Sequence, residues 1–494
     1  MANDNQEDNI SEIEIQDQKI ITNTKLSLLE ALIPVVALMA MLAYNIFYVE
    51  DQELLGAYTN QYILLIAGFI AAVVGLFNQV TLKLMFQEVI ENLKKIVIPL
   101  MILILVGALS GTWLISGIIP AMVYYGLQVL SPEIFLPASV IIAIIISIAT
   151  GSSWTTTATV GIALIGIGTA LGIPTGMVAG AVISGAYFGD KMSPLSDTTN
   201  LAPAMAGTDL FTHIRYMAYT TVPTIVITII AFSIMSMNLE VAGSADIGHL
   251  IVAIDNTFNI TPLLFIVPGV VVALIIMKTK PLIALAVGVT LAAVFSFIFQ
   301  SDVISSLSSS SFTTVIKAIF VDTAIVTDNE MLNELFSSGG IMGMMWTIIL
   351  IICAMIFGGI MDGIGGLERI TEALLKMAKS IFGLFSSTVM SCVGLNVIAS
   401  DQYLAIVIPG KMYEKAYRDR GLAPENLSRT LEDTGTVTSA LVPWNTCGAY
   451  HSGVLGVKVE DYFAFAIFNW LSPFMTLFFA GFNIKIRQLV NKTK

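Results

Sequence analysis

Charge is scarce in this chain: of 494 residues only 12% are Asp, Glu, Lys or Arg, against 56% hydrophobic, and the mean hydropathy is +0.85. Ordinary globular domains carry about 25% charged residues, so a soluble globular protein is excluded. Cations are scarcer still, 23 Lys and Arg against 35 Asp and Glu, and without a basic stripe or motif no nucleic-acid partner is expected. The three cysteines, Cys353, Cys392 and Cys447, stand far apart with no CxxC pair, which leaves neither a disulfide framework nor a zinc site and reads them as small packing residues. The three histidines, His213, His249 and His451, are too dispersed for a metal cluster and read as surface groups near membrane edges or loops. No GxxxxGK[ST] phosphate loop, HExxH or GxSxG is present, so the expectation is neither an ATP-driven engine nor an enzyme, and no cofactor. No basic, apolar, small-residue succession opens the chain, so no removable signal peptide is expected.

What is abundant is apolar runs of about 20 residues, the length that crosses a hydrocarbon core. Clear spans fall near 28–48, 60–80, 96–118, 215–238, 261–278, 281–300, 341–360 and 461–483. Residues 1–24 are acidic and nearly free of aromatics, which reads as a disordered cytoplasmic tail. Lys83, Lys94 and Lys95, then Lys278 and Lys280, then Lys411, Lys415, Arg418, Arg420 and Arg429 mark cytoplasmic connections, whereas the loops 49–59, 127–133 and 239–258 carry no Lys or Arg. Both termini are then cytoplasmic.

Two further apolar regions, about 134–205 and 381–455, are interrupted by polar and Gly-rich patches. Irregular backbone at membrane depth is tolerated only inside protein or beside a water-filled cavity, so function is expected there. At an offset of roughly 240–250 residues the halves correspond weakly but in order: GALSGTWLISGIIPAM from Gly107 with FGGIMDGIGGLERI from Phe357, GSSWTT from Gly151 with ASDQYL from Ala399, and FGDKMSPLSDTTN from Phe188 with LEDTGTVTSALVPWNT from Leu431, which pairs Asp190 with Asp433. The predicted fold is an all-α polytopic membrane protein of about ten full spans, an inverted-repeat secondary transporter. Its first repeat covers 25–240, with a re-entrant hairpin at about 134–172 and a broken helix at about 174–205. Its second covers 241–494, with a hairpin at about 381–410 and a broken helix at about 431–455.

The chemistry-bearing residues cluster in these patches. Positions 152–159 hold six hydroxyls, among them Ser152, Ser153, Thr155 and Thr156, and hydroxyls at a hairpin tip can replace the water shell of a small hard cation. GDKMSPLSDTTN, residues 189–200, brings Asp190, Lys191 and Asp197 together with Ser193, Ser196, Thr198, Thr199 and Asn200 around Pro194, which breaks a helix. Charges inside a membrane mark ion paths or proton relays, and one buried carboxylate can hold either Na+ or H+, so competition for it exchanges the two. In the second half Asp401 is the only charge between Lys379 and Lys411, flanked by Ser400 and Gln402. Glu432 and Asp433 begin the second broken span, either as intramembrane charges or as a cap on its N-terminus; Thr434, Thr436, Trp444, Asn445 and Thr446 complete the candidate lining. Asp190, Asp197, Asp401 and Asp433 are the candidate cation and proton carriers.

These motifs, above all GSSWTTTATVG, SGAYFGDKMSPLSDTTNLAPAMAGTDLFTHIRYM, SDQYLAIVIPGKMY and EDTGTVTSALVPWNTCGAY, resemble the NhaC family of Na+/H+ antiporters, which includes malate/Na+-lactate antiporters, over residues 25 to 485. The resemblance implies a bacterial cytoplasmic-membrane protein that expels Na+ in exchange for H+, with a scaffold domain, a moving transport domain and a homodimeric assembly. Its alternative is an organic-acid exchanger, malate with H+ against lactate with Na+, in which Lys191, the one cation within the motifs, either partners the carboxylate or simply pairs with Asp190 or Asp197. A channel is the remaining rival, disfavoured by the paired broken helices.

Overall fold

The computed structural model describes residues 10–15, 18–49, 54–239, 244–277, 279–308 and 310–489. It is almost wholly helical. Eight helices are long and apolar enough to cross a membrane, and two bent pairs, Ile247–Thr257 with Pro262–Ile276 at 87° and Ser301–Leu307 with Ser311–Phe320 at 78°, raise the number to ten among the described residues. The C-terminal span expected at 461–483 is shorter, a 15-residue helix Ile467–Gly481 containing Pro473. Of the acidic tail, Ile10–Ile15 and Gln18–Asn23 form an antiparallel hairpin rather than a disordered segment, and residues 1–9 lie outside the described residues. The reason is an apolar anchor: Ile21 is buried, and the Asn23 side chain donates to the Ile364 carbonyl at 3.4 Å.

The interrupted regions resolve into helices that stop and restart inside the protein. Helix Pro132–Thr150 turns at Gly151 into a second arm, residues 153–170, whose middle, Thr157–Gly161, is a π-helical turn. Helix Thr175–Met192 breaks over 193–196 and resumes as Asp197–Ala206. In the second half Ile381–Ile398 turns at Ser400 into Gln402–Asp419. The last broken helix starts at Pro424, seven residues before the expected boundary, passes through a π-helical turn Glu432–Thr436 and a 3-10 turn Val437–Leu441, and resumes as Thr446–Leu455. Its first turn, PENLSRTL, is polar yet buried, which hides its start from an apolar-run reading.

Left-handed residues repeat between the halves. Gly117 and Gly365 (φ 77° and 76°) turn helix–helix corners, Gly151 and Ser400 (69° and 60°) form the hairpin tips, and Gly207 and Gly456 (79° and 67°) end the resumed arms; the separations are 248, 249 and 249 residues. The N-caps of the restarting arms, Ser152 with Asp401 and Ser196 with Asn445, keep the offset of 249. In that register Asp190 stands opposite Ser439 and Ser152 opposite Asp401, so the pairing of Asp190 with Asp433 read from the motifs is shifted by six residues. Gly151 is a position where only glycine fits: a Cβ there would lie 2.6 Å from Leu195 Cβ, at a φ that L side chains rarely adopt. Gly151→Val is therefore expected to cost at least about 1–2 kcal/mol, read as a lowered melting temperature of the purified protein; an unchanged melting temperature would show that the tip can relax.

Candidate functional site

Each restarting arm begins with a side chain that caps its own free N–H groups. Ser152 accepts from Thr155 N at 3.2 Å, Ser196 from Thr199 N at 3.4 Å, Asp401 from Leu404 N at 2.9 Å and Asn445 from Cys447 N at 3.0 Å. The breaks interlock: Thr446 N donates to the Ser400 carbonyl at 3.0 Å, and Ser193 Oγ donates to the Ile148 carbonyl at 2.9 Å. These four helix starts converge on one cavity of about 320 Å³ lined by Ser152, Trp154, Thr155, Asp190, Asp197, Asp401, Gln402, Tyr403, Thr446 and Tyr450, and closed on its other side by Lys95, Ile98, Pro99, Ile102, Ile275, Pro281 and Leu285.

Three of the four predicted carriers thus share a wall. Asp190 Oδ2 accepts from Ser153 N at 3.1 Å and from Ser153 Oγ at 2.7 Å, while its buried Oδ1 has no hydrogen-bond partner among the described residues. That orphaned anionic oxygen, beside the hydroxyls of Ser152 and Thr155, is what a hard cation requires. Asp197 is exposed to the cavity and accepts a hydrogen bond from the Tyr403 hydroxyl. Asp401 is 95% buried and uses one carboxylate oxygen as the N-cap. Thr199 Oγ1 donates to the carbonyls of Asp190 and Lys191 at 3.1 and 3.0 Å, tying the resumed arm to the end of Thr175–Met192.

Asp433 is elsewhere. It forms a fully buried ion pair with Lys191, and its second oxygen accepts from Thr476 Oγ1. Lys191 Nζ lies 5.5 Å from the centre of the Phe468 ring. Lys191 is therefore not free to meet an organic anion, and the cation on the cavity wall is Lys95, which its Lys-rich context had placed in a loop. Asn200 turns away, donating to the carbonyls of Pro194 and Ser196, and Thr156 donates back to the Ser152 carbonyl at 2.9 Å. Trp444 does not line this cavity; its Nε1 donates to the Val397 carbonyl at 2.8 Å, and Asn445 clamps Asn396. Ser400, Thr434 and Thr436 are fully buried with unpartnered hydroxyl oxygens among the described residues.

Two of the three histidines correct the surface reading, whereas His249 is exposed. His213 and His451 are fully buried; His213 Nδ1 meets Ser428 Oγ at 2.9 Å, and His451 bridges Thr157 Oγ1 and the Tyr187 hydroxyl, each at 3.1 Å. Trp154 stacks on Tyr450 at 4.0 Å between ring centres, joining the first hairpin to the second broken helix. Sequence reasoning also passed over Tyr403, and over Asp362, which is buried near Lys95, Glu88 and Asp401; an acid in an apolar helix was the available signal.

The model of the Na+/H+ antiporter family matches residues 185–484. The Na+/H+ antiporter NhaC of Alkalihalophilus pseudofirmus is 39% identical over 432 residues, 87% of this chain and 92% of its own. NhaC of Bacillus subtilis is 36% identical over 79% of this chain and 85% of its own, and the malate-2H+/Na+-lactate antiporter of the same organism 36% identical over 83% and 86%. With a family model covering more than half its length and relatives 36–39% identical over 79–87% of it, this chain belongs to the Na+/H+ antiporter family.

Proposed function

We propose that this protein exchanges Na+ for H+ across a bacterial cell membrane by alternating access, exporting Na+ and admitting H+. The observation that carries this reading is the single cavity onto which Asp190, Asp197 and Asp401 converge from both halves of the chain, with Asp190 Oδ1 unpartnered. Na+ and H+ compete for these carboxylates. The near-constant offset of 248–249 residues between left-handed turns supports a repeat; five spans in each half would make its second copy inverted, and the Lys- and Arg-bearing connections put both termini in the cytoplasm. Lys95 and Pro281 sit at Lys-rich ends expected to be cytoplasmic, which supports a cavity reached from that side in this conformation.

A second reading has its own observation. Four helix N-termini, each worth about half a positive charge, face the cavity together with Lys95, a setting that also suits a carboxylate. Exchange of malate with H+ against lactate with Na+ is that alternative. Internal pH in proteoliposomes under an imposed Na+ gradient separates the two: proton movement driven by Na+ alone supports plain exchange, movement only with malate or lactate present selects the second reading, and no Na+-linked movement in either condition refutes both.

A further inference from the structure

Behind the cavity wall lies a carboxyl group that the site just described does not use. Glu432, in the π-helical turn Glu432–Thr436, is fully buried and does not line the cavity. Its Oε1 accepts from Thr198 Oγ1 at 3.1 Å, whereas Oε2 has no partner among the described residues. The Thr436 hydroxyl beside it, and that of Thr434, also lack partners in hydrogen-bond geometry. π-helical turns of this kind concentrate at functional sites. Leaving a buried charged oxygen unmet is costly, so the neutral, protonated form is the one this chamber suits.

Two hydroxyls stand between the chamber and the cavity. Thr198 Oγ1 lies 3.2 Å from Ser196 Oγ, and Ser196 neighbours the carboxyl of Asp190, which lines the cavity; the last link forms by rotation of the Ser196 side chain toward the unpartnered Oδ1. Either hydroxyl of the Ser196–Thr198 contact can be the donor, so the row can point both ways. Among the described residues the charged and titratable groups near Glu432 include Asp190 and Lys191 on Thr175–Met192, the adjacent Asp433, the buried Arg429 three residues earlier on the same helix, and His213 beyond the ion pair.

The geometry points to Glu432 as a second proton-holding site, exchanging its proton with Asp190 through the hydroxyls of Thr198 and Ser196. In that step the Glu432 O–H bond breaks as Thr198 Oγ1 gains the proton. Thr198 passes its own to Ser196, and Ser196 passes its own to the Asp190 carboxylate. One carboxyl is deprotonated, the other protonated, and both hydroxyls are restored with their hydrogen bonds reversed. The inference rests on the exchange reading, because it supplies the protons that Na+ displaces.

The test is a Na+ pulse to the purified full-length protein in weakly buffered detergent solution, with proton release followed by a pH dye and bound Na+ by radioactive 22Na+. Glu432→Gln keeps the shape and removes the exchangeable proton, so at equal Na+ bound it is expected to release fewer protons than the wild type, by the one that Glu432 holds. Thr198→Val cuts the row and is expected to slow the release of the second proton about tenfold or more. Wild-type proton counts in E432Q would overturn the inference while leaving the exchange reading intact. Absence of Na+-induced release from the wild type would instead remove the exchange reading itself. Should E432Q fail to fold, T198V decides alone: an unchanged rate of release overturns the relay.

Discussion

Asp190→Asn is expected to lower Na+-driven proton movement in proteoliposomes by about two orders of magnitude or more, with the protein still folded and monodisperse. The substitution keeps an acceptor for the two Ser153 bonds at 3.1 and 2.7 Å but removes the charge that both ions need and the proton that one of them is. With its single oxygen held by Ser153, Asn presents an NH2 donor where Oδ1 now stands unpartnered, a group that neither coordinates a cation nor titrates. A companion measurement follows from competition at one site. In the wild type the apparent Michaelis constant for Na+ rises as the pH falls, approaching about tenfold per unit once the carboxylates are mostly protonated, because each added proton occupies the position Na+ requires. Both results would fail together if the two ions used separate sites: D190N would then lose one ion's binding and keep the other's, and the Na+ constant would be flat with pH. Asp401→Asn is the less informative probe, since its carboxylate also caps Gln402–Asp419 through Leu404 N, and loss of the cap lowers stability as well as charge.

The parts of this site that were legible in the sequence were those for which composition alone is decisive. Asp190 and Asp401 stand in apolar surroundings where an unpaired charge has no structural excuse, and Gly151 beside six hydroxyls marks a tip; both carboxyls and, of the hydroxyls, Ser152 and Thr155 line the cavity. The rest depended on which way a helix turns. Glu432 and Asp433 are neighbours, so they point about 100° apart on a helix, and the π-helical turn that starts at Glu432 changes that angle again; periodicity could not say that Asp433 meets Lys191 while Glu432 meets Thr198. Lys95 was assigned to a loop by its neighbours Lys94 and Lys83, yet it ends helix Leu82–Lys95 against the cavity. His213 and His451 fall near predicted membrane edges or loops, where the sequence alone reads them as surface groups. In a membrane protein the polar interior is the functional one, and both rings are fully buried there with hydroxyl partners. The motifs correspond between the halves as an order of landmarks but not as a register; the near-constant offset lies in left-handed turns at Gly117, Gly151 and Gly207 and at Gly365, Ser400 and Gly456, and Ser400 is not a glycine.

Lys191→Met and Asp433→Asn, each made alone, are expected to destabilise the protein by about 3–5 kcal/mol, the largest loss of stability predicted for single substitutions here. Both side chains have zero exposure, so either change strands an ion where water cannot reach it. The double variant K191M/D433N leaves no ion behind and retains an acceptor for Thr476, and is expected to recover most of that loss, because replacing both members of a buried pair is often close to neutral. Thermal unfolding of the three variants in detergent measures the coupling directly as the difference between the double and the summed single effects. Single variants as stable as the wild type would mean that the pair is solvated in the working protein. A double variant as unstable as the singles would mean that the pair compensates a further charge, and the neighbours placed to be that charge are Asp190 and Glu432, one residue away along each strand of the crossing. The ion pair would then belong to the same electrostatic unit as the proton sites, holding the broken helices together while fixing the field in which those two carboxyls exchange protons.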